Sequence, residues 1–441
     1  MRPEAKKQSS KRNSEQDKLV AIAEEYLPGG STWQWTLPSD VTFIVDRGEG
    51  SRLYDTEGRA YIDLAMGSGP LLLGHAHPAV VKAVQEQVEK GSQYHWLSEP
   101  MVRLAEAICQ AVPCGQKVRF CSTGTEATML AMRIARVFTR REKILRFDGA
   151  WHGLHDYALI SSSNSGVSPY SGQPDVGGIP KGVLDTMLVT RYNDAPNLEK
   201  VLARHGSEIA AVIVEPLQRA IPPQSNFLQR LRELTREHGI VLIFDEVVTG
   251  FRLAYGGAQS FYGVTADLAT YGKALTCGFS LGAICGRDDL MATASPSRKG
   301  TMDYACLSGT LSGNPIACAA GVAALAELRR PGVYDNLAAL GQRLRAGMVE
   351  IALELAVPLQ ALGEGSIAQP VFIAREQRIL SSSDLQSMDV EQATRVRYEL
   401  IRRGVFVVPD MRMFVSLAHS QADIDMALSI FADALRATTR H

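Results

Sequence analysis

No apolar run in this sequence approaches the ~20 residues of a membrane span, so nothing predicts a membrane-spanning helix. An excess of one charge is missing as well. The 46 Lys plus Arg stand against 47 Asp plus Glu, a formal charge of −1, which gives no electrostatic reason to expect nucleic acid or an anionic membrane as partner. The seven cysteines are odd in number, form no C-x-x-C pair and set no regular spacing, so reduced, mostly buried thiols in a cytoplasmic protein are expected rather than a disulfide framework. There is no G-x-x-x-x-G-K-[ST], and no G-x-G-x-x-G follows a strand, which leaves a P-loop nucleotide hydrolase or a Rossmann dehydrogenase poorly supported. The first 18 residues have no apolar stretch of the kind a secretory signal needs, and the acidic Glu4, Glu15 and Asp17 argue against a transit peptide.

What is there is an ordinary globular make-up, 46% hydrophobic and 21% charged over 441 residues, enough for one large domain and a smaller one acting on a small molecule. Residues 1–18 read as a flexible tail. Residues 19–76 carry a short amphipathic helix stopped at Pro28 to Gly30, then a small meander around Gly48, Gly50 and Gly58, and are expected to join the small domain. Across 77–330, apolar runs such as "IAAVIVEP" and "GIVLIFDEV" alternate with helical stretches, the pattern of a mostly parallel sheet covered on both faces in an α/β domain. Residues 331–441 alternate helix and strand over a shorter length, a smaller α+β domain. Ser161 to Gly178, rich in Ser, Gly and Pro, is the long loop.

The strongest local signal is "VLIFDEV", an apolar strand ending in Asp245 and Glu246, with Lys273 28 residues after Asp245 in "ATYGKAL". A carboxylate at the C-terminal end of a buried strand lies where α/β sheets bind ligands, although a helix cap gives the same pattern. In "RFCSTGTEATMLAMRIAR" a strand leads through Ser122, Thr123, Gly124 and Thr125 into a helix, offering free N–H groups, hydroxyls and a helix dipole to a phosphate; a plain N-cap reads the same way. With Trp151 and His152 of "WHG", these are the parts an aldehyde cofactor needs. A cradle takes its phosphate, an aromatic side chain its ring face, an acid its ring nitrogen and a lysine its aldehyde carbon. No metal is expected: His75 and His77 of "LGHAHP" have no third ligand at a convincing spacing.

From about Tyr26 to its end the sequence resembles the class-III aminotransferases, fold-type-I pyridoxal-phosphate enzymes, in the subgroup of glutamate-1-semialdehyde aminomutase and of β- or aromatic amino-acid transaminases. The resemblance is carried by "RGEGSRLYDTEGRAYIDL", "LGHAHP", "STGTEATMLAMRIAR", "WHG", "VEP", "IFDEVVTGFR", "YGKAL", "SGTLSGNPIA" and "FVSLAHSQADID" in family order. It implies a seven-stranded, mostly parallel sheet between helices, with pyridoxal 5′-phosphate as cofactor. Thr123, Gly124 and Thr125 would lie on the phosphate, Trp151 and Val247 on the two ring faces, Asp245 at the ring nitrogen, Lys273 as the Schiff-base lysine, and Glu215 in support. Gly309 and Thr310 would reach the phosphate of a neighbouring subunit, which requires a homodimer with shared active sites.

The residues that hold the substrate must separate the members of this subgroup. "SSSNSGVSPYSGQPDVGGIPK" is similar to the gating loop of the aminomutase. Two departures point away from it: "STWQWTLPSD" lacks the family's substrate-binding Arg and offers Trp33 and Trp35, and "PDMRMFVSLAH" has Met411 where the aminomutase has Glu, with Arg412 beside it. Arg412 suits a carboxylate, and Trp33, Trp35 and Tyr94 suit an apolar or aromatic side chain. The expectation is an aminotransferase moving the amino group of a β-, aromatic or apolar amino acid to a keto acid by a ping-pong mechanism, with the aminomutase or a related racemase as the alternative.

Overall fold

The computed structural model describes residues 14–162 and 170–439. The apolar runs build a seven-stranded sheet from β1 (Lys117–Cys121), β2 (Lys143–Phe147), β3 (Met187–Thr190), β4 (Ile209–Val214), β5 (Val241–Asp245), β6 (Leu268–Tyr271) and β7 (Gly282–Gly286), in the spatial order β1-β7-β6-β5-β4-β2-β3. Only β7 runs antiparallel to its neighbours. In β5, Leu242 and Phe244 enter one hydrophobic core while Val241 and Ile243 enter the core on the opposite face. That two-sided burial is why the strand reads as a continuous apolar run rather than an alternation.

Asp267, buried just before β6, holds the far end of the sheet in register. Its carboxylate accepts from the Leu242 N–H at 2.8 Å, from buried Arg232 at 2.8 Å and from Arg287 at 2.9 Å. Register fixed there sets Asp245 opposite Thr270 at the other end.

The N-terminal meander and the C-terminal region share one sheet. Ala60–Asp63 pairs antiparallel with Arg52–Asp55 and parallel with Val405–Phe406. A second small sheet sets Ile367–Val371 between Gln360–Leu362 and Met413–Phe414. The helix Val333–Glu354 begins in the large core at Val333 and Leu337 and continues into the small-domain core at Leu340, Leu344 and Met348.

The first helix, Glu15–Tyr26, starts inside the segment read as tail. Ser14 caps it by accepting from the Asp17 N–H while Asp17 reaches back to Ser14, so Glu15 to Lys18 are helical and the two acids read as tail charges are first-turn residues. Residues 1–13 of that segment lie outside the described residues, as do 163–169 of the gating-loop segment. The flanks of the latter, Ile160–Ser162 and Gly172–Pro174, pair as a two-stranded ribbon where the sequence suggested only loop. No helix among the described residues is long and apolar enough to cross a membrane.

Asp267→Ala leaves the buried Arg232 guanidinium unpaired and frees the Leu242 N–H, a loss of about 3 kcal/mol or more. The expected outcome is a melting temperature lowered by several degrees in a thermal scan.

Candidate active site

Because six strands of the sheet run the same way, the loops leaving β1, β2, β4, β5 and β6 emerge along one edge. They bring Thr123 to Thr125, Trp151 and His152, Glu215, Asp245 and Val247, and Lys273 to that edge. Val247 is in the middle: a Cβ on Gly124 would lie 2.9 Å from its Cγ1, and one on Gly272, next to Lys273, would lie 3.5 Å from the same atom. Only glycine fits at 124.

Asp245 is buried and held on both oxygens. Oδ2 meets His152 Nδ1 at 2.7 Å, and Oδ1 accepts from the Val247 N–H at 3.1 Å and the Thr270 hydroxyl at 3.2 Å. Oδ2 keeps a lone pair for one more donor. His152 is thus buried behind the aspartate and orients it, a different place from the cofactor contact expected from sequence. The neighbouring Glu246 points into the core. It accepts from the Thr249 hydroxyl and from the Ala258 and Gln259 N–H groups, and burial pushes its carboxyl up to about 7.

Thr123 caps the helix Gly124–Thr139 by accepting from the Glu126 N–H at 3.1 Å, while Glu126 accepts from the Ser122 N–H at 2.7 Å. The N–H groups of Gly124 and Thr125 have no acceptor among the described residues and point off the helix end, where its dipole favours an anion. Thr125 Oγ1 accepts from the Leu154 N–H at 3.3 Å, so its own proton is free to donate. Trp151 is 40% exposed, and its N–H is fixed by buried Glu215 at 2.9 Å.

Lys273 follows β6 in a left-handed backbone conformation, φ 45°. Its amine is pushed down to about 7, first by burial and then by the guanidinium groups of Arg412, Arg219 and Arg252, with Glu215 opposing. Arg412, which as a surface charge would mean nothing, is buried. Its Nε donates to Asp410 at 2.7 Å, and its Nη1 is buried without a partner. Arg219 shares that carboxylate at 3.2 Å. Burial works to raise the Asp410 carboxyl, but the two cations outweigh it and hold it below the usual range. Arg219, Arg252, Thr270 and Asp410 escaped the sequence reading. Asp410, Thr270 and Arg252 each lie in a quoted stretch with a predicted residue, Arg412, Lys273 and Asp245 respectively, whereas Arg219 lies in none.

Three predicted residues lie elsewhere. Trp33 and Trp35 line a cavity of about 690 Å³ among the first helix, the meander, Arg402 and Phe406, and none of Lys273, Asp245, Trp151 or Arg412 borders it. Among the described residues of the chain, the N-terminal segment lies against the small domain, with Arg397 over the Trp35 ring at 5.9 Å, and places neither tryptophan beside Lys273. Tyr94 donates to the Lys90 carbonyl on an exposed surface that also carries Gly309 and Thr310, where Gln93 donates to the Thr310 carbonyl.

A free lysine ordinarily titrates at 10.5, whereas here the amine is held at about 7, so protonation favours the unfolded chain throughout that interval. The penalty is complete below pH 7 and vanishes above the unfolded value. Cofactor-free Lys273→Met is expected to melt higher than the unaltered protein at pH 7, with the gap closing as the pH is raised past 10; a constant gap would contradict the assigned electrostatics.

The family model of the class-III aminotransferases matches residues 37–435. The glutamate-1-semialdehyde 2,1-aminomutase 2 of Brevibacillus brevis is 39% identical over 426 residues, covering 95% of this chain and 97% of that protein. Among solved structures, an ω-transaminase from Sphaerobacter thermophilus is 36% identical with a TM-score of 0.90, over 96% of this chain and 98% of its own. A β-phenylalanine aminotransferase from Variovorax paradoxus is 31% identical with a TM-score of 0.85, over 96% and 94%. With the family model spanning most of its length and relatives of this likeness covering nearly all of it, the chain belongs to the class-III aminotransferases.

Proposed function

We propose that this protein is a pyridoxal-phosphate-dependent aminotransferase that takes the amino group from a carboxylate-bearing donor, a β-, aromatic or apolar amino acid, and passes it to a keto acid in a ping-pong cycle. The observation that carries the reading is the meeting, at one sheet edge, of a lysine with a depressed pKa, a fixed aspartate, two free helix N–H groups and a buried arginine.

The residues fit the cofactor. When bound, pyridoxal 5′-phosphate supplies an electron sink for the charge that develops at the substrate's amine-bearing carbon. Gly124 and Thr125 would hold its phosphate through the free N–H groups and the Thr125 hydroxyl. Trp151 and Val247 would confine the ring, and Asp245, braced by His152 and Thr270, would accept from the ring nitrogen and keep it protonated. Lys273 would hold the aldehyde carbon. As a free amine titrating near neutrality it is matched to moving a proton at the substrate carbon. Arg412 would orient the donor through its carboxylate.

The second reading, a glutamate-1-semialdehyde 2,1-aminomutase, is favoured by the activity named for the Brevibacillus brevis relative. Against it stand Met411, buried in the small-domain core where the aminomutase has Glu, and the absence of Arg from "STWQWTLPSD". A racemase of the same family is a further outcome.

We also propose a homodimer. Tyr94, Trp96, Leu97 and Leu311 are large apolar residues exposed on the surface that carries Gly309 and Thr310, a cluster of the kind that marks an interaction site. A second copy covering it would bring Gly309 and Thr310 to the phosphate of its neighbour.

In the half-reaction, the cofactor-loaded protein is mixed with α- and β-amino acids, amines and the semialdehyde, and conversion to the pyridoxamine form is followed by absorbance. Amino acids are expected to convert it, Lys273→Ala is expected to lose borohydride trapping and turnover, and Arg412→Ala is expected to raise KM for carboxylate donors at least tenfold more than for simple amines. Isomerisation of the semialdehyde without an added keto acid would establish the aminomutase instead. Sedimentation is expected to give a dimer for the unaltered chain and a monomer for Trp96→Asp; a monomeric unaltered chain would remove the shared-site proposal.

A further inference from the structure

We infer that Arg219 is a second carboxylate-binding residue, so that the substrate's carboxylate is held between Arg219 and Arg412. The inference rests on the aminotransferase reading and adds to it a residue that no sequence pattern marked.

The first observation is the backbone. Gln218 and Ile221 exchange hydrogen bonds, Gln218 N–H to the Ile221 carbonyl at 3.1 Å and the reverse at 2.8 Å, closing a two-residue turn whose first central residue is Arg219 at φ 60°. Glycine ordinarily fills that position, because a side chain there meets the backbone. A long cation in its place costs stability, and strain of this kind persists where the side chain has a task. The turn sits four residues beyond Glu215, which fixes Trp151, so its tip belongs to the Lys273 edge.

The second observation is the charge balance. Arg219 and Arg412 both donate to Oδ2 of Asp410, at 3.2 and 2.7 Å, and among the described residues neither guanidinium has another hydrogen-bond acceptor. One carboxylate therefore answers two cations, and Arg412 Nη1 is left buried with no partner. Arg252, close by, is bonded to neutral groups, the Gly69 and Val248 carbonyls and the Ser366 hydroxyl, and takes no share of Asp410. Glu215 is the other acid facing these groups, and it is engaged by the Trp151 N–H. An excess of positive charge, buried at Arg412 and partly exposed at Arg219, with an unused N–H selects an anion, and a planar carboxylate is the group that two guanidinium forks can hold together.

The alternative, in which Arg219 only braces Asp410, makes a different prediction. Arg219→Gly removes the guanidinium and relieves the turn at once, so the variant is expected to melt no lower than the unaltered protein. Calorimetric titration of the cofactor-loaded protein with 3-phenylpropanoate, a carboxylate with no amine to react, is expected to show Kd weakened about tenfold or more. In the half-reaction, the ratio of kcat/KM for 3-amino-3-phenylpropanoate to that for 1-phenylethylamine, which lacks the carboxylate, is expected to fall by a similar factor. A Kd within twofold, no binding of 3-phenylpropanoate by the unaltered protein at millimolar concentration, or equal losses for both donors would overturn the inference. If the unaltered protein binds 3-phenylpropanoate but converts no donor, the reaction is wrong while the calorimetric comparison still decides the role of Arg219.

Discussion

Parallel strand direction is the constraint on which the site depends. Strands that run the same way start at one edge of the sheet and finish at the other, so residues far apart in sequence are delivered to a common line. Asp245 and Lys273 are separated by a crossover through the helix Gly257–Tyr262, yet Thr270, three residues before Lys273, donates to the Asp245 carboxylate. The same crossover explains the divergence of two adjacent acids. Asp245 ends β5 facing the open edge, whereas Glu246 turns inward and accepts from the N–H groups that open that helix. A pair of carboxylates in sequence is one site residue and one structural cap.

Much of the sheet edge was legible in the sequence because strand ends and helix starts leave local marks: an apolar run, then an acid; small hydroxyl residues, then a helix. Asp245, Gly124 and Thr125 carry those marks, and the fold brings them to one edge of the sheet. Arg412 was visible only as a residue type at a departure from the aminomutase pattern, since burial of a loop arginine depends on a small domain folded from both ends of the chain. Arg219 left no mark at all, because what singles it out is a backbone angle. The tryptophans misled for a related reason. An aromatic cluster announces apolar surface without saying what it will meet, and Trp33 and Trp35 line a cavity beside the meander, with Trp33 still largely exposed.

Electrostatics ties these parts together. Burial first, and then three nearby guanidinium groups, hold the Lys273 amine down at about 7, and the same guanidinium groups make the region attractive to an anion. The two effects oppose each other once a carboxylate arrives, because an anion beside Lys273 offsets the cations that depress its pKa. On the proposed function, binding an acid and tuning the amine are therefore coupled through Asp410, which limits how much positive charge is left over.

The helix Val333–Glu354 is rooted in both cores at once. Its 22 residues make a rod about 33 Å long at 1.5 Å per residue. A tilt of only about 5° over that length moves its far end by about 3 Å, roughly the span of a hydrogen bond. The small domain that carries Arg412 is thus mounted on a lever with its fulcrum in the sheet. The reach of that arginine toward Lys273 is set by the angle of that rod together with the bonds that brace its far side, Arg252 to Ser366 and Arg219 to Asp410.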